Sequence, residues 1–232
     1  VGLWWLFFSL PLFIWVKEEK AKHSLNLSSA VTNGFAQLLE QIKNVRQKQN
    51  RALLYFLLGY LFYIDGVNTI VKMAVDYGMA IGLQPADLIK ALLMVQFIGF
   101  PAAIAFGWAG EKIGPQRGVW LCLVSYMGVT IYAYSLDSAI EFYILAAVIG
   151  LVQGGIQALS RSFFARLVPP HQSAQYCGFF NMAGKFSSIL GPLLVGTTGL
   201  YFNNPRAGIL TLSLFFILGG IFLRQSTKAQ QE

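Results

Sequence analysis

Charge is the scarcest property of this chain: only 12% of its 232 residues are Asp, Glu, Lys or Arg, against about 25% in soluble domains. With 56% hydrophobic residues, too little polar surface remains to cover a soluble globule, so the chain belongs in a membrane. Histidine is nearly missing. The two present, His23 and His171, stand in separate loops, and no nucleophile lies at usable spacing from a base. That argues against an enzyme such as a membrane-embedded transferase, and no metal or cofactor site can be built. The two cysteines, Cys122 and Cys177, sit inside apolar runs and cannot make a disulfide framework; packing is their expected role. Acids are outnumbered, 10 Asp and Glu against 17 Lys and Arg. The excess does not point to nucleic acid, because the cations lie between apolar segments and form no aromatic-interleaved surface.

What is abundant is long apolar runs. Residues 1–16 form the first, with Trp4, Trp5 and Trp15 as interface anchors. It falls short of the roughly 20 residues that cross a bilayer and has neither the basic start nor the cleavage site of a signal peptide. The expectation is the end of a truncated transmembrane helix. Residues 17–50 are the one extended polar region. Within them Val31, Phe35, Leu38, Leu39, Ile42 and Val45 recur at three and four, the period of an amphipathic helix. That helix either lies on anionic lipid or links two bundles through solvent.

Six apolar spans are expected over residues 51–224, starting near Arg51, Asp87, Val119, Phe142, Ser173 and Arg206, with a tail over 225–232. Asp87 is a candidate N-cap behind Pro85, and Pro101 predicts a kink. Gly191-Pro192 with Gly196 and Gly199 forms a small-residue seam, for bending or for close helix packing. Counted over alternate helix ends, 13 of the 17 Lys and Arg fall in 17–51, 111–117, 161–171 and 224–232. That bias places the long loop and the C-terminus in the cytoplasm. The sequon at Asn26 then faces the wrong side for glycosylation.

Polar residues recur inside this apolar frame. Gln153, Gln157 and Arg161 are four apart, as are Asn181 and Lys185, so each set shares one helix face. Exposing such groups to lipid costs several kcal/mol, so the stripes face a pathway or a protein neighbour. At 1.5 Å per residue, Gln153, Asn181 and Lys185 lie about 16, 12 and 18 Å into their spans. Asp65 is about 20 Å into its own span. It either serves the pathway or caps a helix break at Gly66 with Asn68. Asp65, Asn68, Gln96, Gln153, Gln157, Asn181 and Lys185 are therefore the candidate substrate or coupling-ion residues, although Asp65 and Lys185 could instead pair with each other or with a preceding segment.

A long basic cytoplasmic loop followed by six spans resembles the second half of a major facilitator superfamily transporter. Trp4-Trp5 with Pro11, Tyr63-Ile64-Asp65-Gly66, the stretch GGIQALSRSFFARLVP from Gly154, Cys177-Gly178-Phe179-Phe180 and Gly184-Lys185 resemble the autophagy-related vacuolar amino-acid effluxers and their bacterial relatives. The resemblance implies an all-α integral membrane fold. In it, a six-helix half-bundle follows the end of one further transmembrane helix and an amphipathic loop helix. It also implies secondary transport of a small solute, an amino acid being the class suggested, by alternating access against a missing N-terminal half. A proton is a candidate coupling ion, and a bacterial inner membrane a candidate location. A non-transporting receptor or scaffold of the same fold is the alternative.

The turn from Gly107 through Gly110, Glu111 and Lys112 to Gly114 is similar to the cytoplasmic gate motif of that superfamily, with Arg161 or Arg166 as ion partner of Glu111. It departs from the motif where Pro115 and Gln116 replace two basic residues. A tight turn carrying topogenic charges is the alternative reading.

Overall fold

The computed structural model describes residues 2–15, 51–168 and 173–231, and every regular element among them is helical. The expected amphipathic helix over 28–49 and the loop at Pro169, Pro170 and His171 lie outside the described residues. Helix α1, Gly2–Trp15, continues through Pro11 and exposes Trp4, Trp5 and Trp15.

Residues 51–231 contribute seven further helices: α2 (Arg51–Ala80), α3 (Pro85–Ile113), α4 (Pro115–Tyr134), α5 (Ala139–Leu167), α6 (Ser173–Phe186), α7 (Leu190–Tyr201) and α8 (Pro205–Gln231). Four of them, α2, α3, α5 and α8, are long and apolar enough to cross a membrane. Helix α4 has 20 residues, about 30 Å of rise and close to the hydrocarbon thickness. The span expected from Ser173 to Leu200 is divided into α6 and α7 by a single 3-10 turn, Ser187–Ile189.

Local chemistry explains the boundaries. Prolines open α3, α4 and α8, where a missing N–H costs nothing and φ is already helical. Gly114, between α3 and α4, takes φ +86°, a conformation that glycine adopts without steric cost. Helix α5 starts three residues earlier than expected, because Ser138 and Glu141 form a capping box. Asp87 is not the cap of α3. It lies in the first turn and accepts hydrogen bonds from Tyr143 Oη at 2.7 Å and Lys90 Nζ at 3.2 Å. Helix α3 runs on through Pro101, and α8 through 224–231.

Helix α2 is the centre of the packing. It runs along α8 and also meets α5, α6, the 3-10 turn and α7, while α3 lies along α5 and α4 packs on both α5 and α8. Phe56, Tyr63, Val67, Tyr126, Ile156 and Leu212 are wholly buried, whereas Phe97, Phe100 and Ile104 on α3 point outward. Apolar side chains facing outward on α3 suit a helix bundle in lipid. Tyr63 Oη and Ser160 Oγ are 2.7 Å apart and tie α2 to α5, and the Ser160 hydroxyl also donates to the carbonyl of Ile156. Because Ser160 keeps that second partner, Tyr63→Phe is expected to cost only about 1 kcal/mol, within the range of interhelical hydrogen bonds in bundles of this kind. A dodecyl sulfate unfolding titration checks this.

Candidate functional site: a polar cavity between three helices

Three helices each present one stripe to a shared cavity of about 330 Å³. Tyr60, Ile64 and Asn68 come from α2, Gln157 and Arg161 from α5, and Asn181, Gly184 and Lys185 from α6. Every stripe follows the helical period of three and four. Measured along the helices from the end at Arg51, Leu167 and Ser173, the polar groups run from about 9 Å at Arg161 to about 25 Å at Asn68. Helices α2, α3 and α5 are each about 43–45 Å long, so the cavity reaches from that end into the middle of the bundle.

Aromatic contacts join the three helices beside the cavity. The rings of Tyr60 and Phe180 stack with centroids 4.1 Å apart, Phe164 and Phe180 at 4.6 Å, and Phe56 meets Phe163 edge-on at 5.1 Å. Gly184 lets α6 approach Tyr60, since a Cβ there would lie 2.9 Å from the Tyr60 hydroxyl. By contrast, the concavity between α2, α3 and α5 is lined wholly by apolar side chains such as Val71, Leu88 and Phe142.

Asp65 shares a helix with one wall but turns away from the cavity. It is wholly buried, Oδ2 accepts the Gly191 N–H at 2.8 Å, and Oδ1 accepts the Thr69 hydroxyl at 3.4 Å. The local cause is Pro192, which has no N–H for the carbonyl of residue 188 and crowds it sterically. Ser188 accordingly leaves helical geometry at ψ 15°. The hydroxyls of Ser187 and Ser188 donate to the carbonyls of Gly184 and Lys185, each at 2.9 Å. Helix α7 thus starts with its N-terminal amide on a carboxylate, which favours negative charge at that position. Asp65 does cap a helix break, but at Gly191 across the bundle and not at Gly66 in its own helix.

The expected pathway residues therefore divide. Asn68, Gln157, Asn181 and Lys185 come together, joined by Arg161, which the sequence had grouped with the gate. Gln153 is half-buried one turn along α5 and does not line the cavity, and Gln96 is exposed on α3. Tyr60, Ile64 and Gly184 were not anticipated. The spacing of Tyr60, Ile64 and Asn68, four apart, was the signal available for the third wall.

The gate residues are less tightly joined. Gly110 packs under Leu159, whereas Gly107 has open space where a side chain would project. Glu111 is exposed and makes no ion pair with Arg161 or Arg166 among the described residues, and Lys112 Nζ sits 3.7 Å over the Trp108 ring. Arg166 lines a separate concavity with Gln116 and Arg117. At the opposite end Arg206 pairs with Asp137.

Comparison with known proteins adds to this geometry. A family model described as "Vacuole effluxer Atg22 like" matches residues 1–230. An uncharacterized MFS-type transporter, YxiO of Bacillus subtilis, is 37% identical over 224 residues, covering 95% of this chain and 50% of the relative. Autophagy-related protein 22 of Yarrowia lipolytica is 29% identical over 253 residues, covering 96% of this chain and 43% of the relative. The protein of the same name from Saccharomyces cerevisiae is 27% identical over 231 residues, covering 84% and 43%. The chain spans about half the length of the curated relatives it matches.

Proposed function

The chain belongs to the Vacuole effluxer Atg22-like family, and from that membership we propose that it forms the C-terminal half of a secondary transporter whose small-molecule solute binds in the cavity between α2, α5 and α6. The observation that carries this reading is the cavity itself, where charged and amide groups from three helices meet at one open face of an otherwise apolar bundle. Polar groups in a membrane interior are costly unless they serve a solute or a partner. Solute sites between two halves of a transporter lie at comparable depth. The half-length coverage of the relatives fits a site completed by a preceding half.

In this mechanism the cavity is one wall of the pathway, and rocking of the two halves exposes it to each side of the membrane in turn. Six crossings would be made by α2, α3, α4, α5, the α6–α7 pair and α8. The segment 17–50 and the C-terminus would be cytoplasmic, as the basic bias suggests. The turn at Gly110 and Gly114 would then lie at the cytoplasmic end, where its contacts change as the pathway opens. An amino acid remains a solute class to test. Asp65 is not needed to bind it, because its carboxylate is occupied by Gly191 and Thr69.

The test is solute flux by the complete polypeptide in proteoliposomes. Lys185→Ala, at an exposed position on the cavity wall, is expected to cut flux at least tenfold while expression and unfolding midpoint stay at wild-type levels. Unchanged flux would remove Lys185 from the site. A scaffold without transport predicts no saturable flux at all.

A further inference from the structure

Resting on the reading of this cavity as the solute site, we propose that it binds its solute by a carboxylate held between Arg161 and Lys185, and that its described walls do not read an amino group. The two cations stand on different walls, α5 and α6, and the remaining polar groups are the neutral side chains of Tyr60, Asn68, Gln157 and Asn181. None of the acids in the described residues lines the cavity. Asp65 is wholly buried against Gly191 and Thr69. Asp87 holds Lys90, Asp137 holds Arg206, and Glu141 belongs to the cap of α5. Asp76 lines a different concavity, near Tyr77 and Asn203, and Glu111 is exposed on the last turn of α3.

Two like charges around one small cavity raise each other's energy, and the effect grows as water is excluded on closure. A bound carboxylate reverses the sign for both. The guanidinium of Arg161 matches a carboxylate with two parallel hydrogen bonds, and Lys185 adds a mobile point charge. The amides of Gln157 and Asn181 can donate to the remaining lone pairs. On these walls a zwitterion is held through its acid end alone. Among the described residues the positive end has no acidic partner on these walls, so these walls hold acids without an amine as they hold amino acids.

The test uses the complete polypeptide in nanodiscs, with the melting temperature followed during titration with alanine, propionate, N-acetylalanine, alaninamide and inorganic phosphate; a compound bound only by the folded state raises it. Alanine, propionate and N-acetylalanine are expected to stabilise the protein and alaninamide is not. Arg161→Gln and Lys185→Gln are each expected to weaken the three carboxylates at least tenfold, with the unliganded melting temperature unchanged. The proposal is overturned if none of the carboxylates stabilises, if alaninamide matches alanine, if phosphate alone binds, or if both Gln variants bind carboxylates normally. An Asn181→Ala variant separates the two levels of failure. If it weakens alaninamide or phosphate, the cavity stands as the site and only the carboxylate assignment falls. If carboxylate binding is indifferent to Arg161→Gln, Lys185→Gln and Asn181→Ala alike, the solute sits elsewhere and both readings fall.

Discussion

Replacing Gly191 by alanine is expected to destabilise the bundle by about 3–5 kcal/mol, the sum of overpacking a tight site and spoiling a hydrogen bond to a buried charge. The added Cβ would lie 1.9 Å from Thr69 Oγ1, 2.8 Å from Asp65 Oδ1 and 2.9 Å from Thr69 Cβ. Threonine is stiff at χ1, and its Cβ cannot move without α2. The chain must therefore separate α2 from α7, which stretches the 2.8 Å bond from the Gly191 amide to Asp65. An unpaired carboxylate in that position is a heavy penalty. The measurement is a dodecyl sulfate unfolding titration of the single and double variants. Thr69→Ala on the Gly191→Ala background removes the worst overlap and should recover a third or more of the loss, a non-additivity that marks direct contact. Wild-type stability in Gly191→Ala would mean that α2 and α7 are not held this closely.

Filling the cavity should abolish transport without unfolding the protein. Gly184→Leu puts a branched side chain where Tyr60, Arg161 and Lys185 border an opening of about 330 Å³. The first carbon already meets the Tyr60 hydroxyl at 2.9 Å, so the tyrosine tip must swing into the same space. Flux of whichever solute stabilises the protein is expected to fall at least a hundredfold. The unfolding penalty should stay near the 1–3 kcal/mol typical of overpacking, because the crowded atom is the end of a side chain and one side of the site is open. Gly184→Ala should give an intermediate flux, since only the Tyr60 tip has to move. Normal flux in Gly184→Leu would place the solute path away from these three helices.

Membrane character and the order of the helices were legible in the amino-acid sequence. Apolar runs near bilayer length are local signals, and each acts within a few residues of itself; the proline that opens α4 went unread, and that start was placed four residues late, at Val119. Two of the three polar stripes were legible as well, because spacing of four determines which residues share a face. What that face meets is a different matter. Arg161 extends the stripe of Gln153 and Gln157, yet only the packing of α6 and α2 beside α5 joins it to Lys185 and leaves Gln153 outside. Asp65 shows the same limit. Its depth in an apolar span marks it as exceptional, but that signal is equal for a solute ligand and a buried brace.

The break that engages Asp65 was half visible. Pro192 announces that the carbonyl four residues earlier loses its partner, and Ser188 is where the helix yields. That the freed Gly191 amide finds a carboxylate 126 residues away depends on α2 lying against the turn. By itself, then, the sequence determined a basic, apolar, all-helical membrane chain with polar stripes at known positions, because helical period and hydropathy are properties of neighbours. Tertiary structure decided that Arg161 and Lys185 share a cavity and that Asp65 does not, because contacts between helices are set by packing across the bundle, which no spacing within one helix encodes.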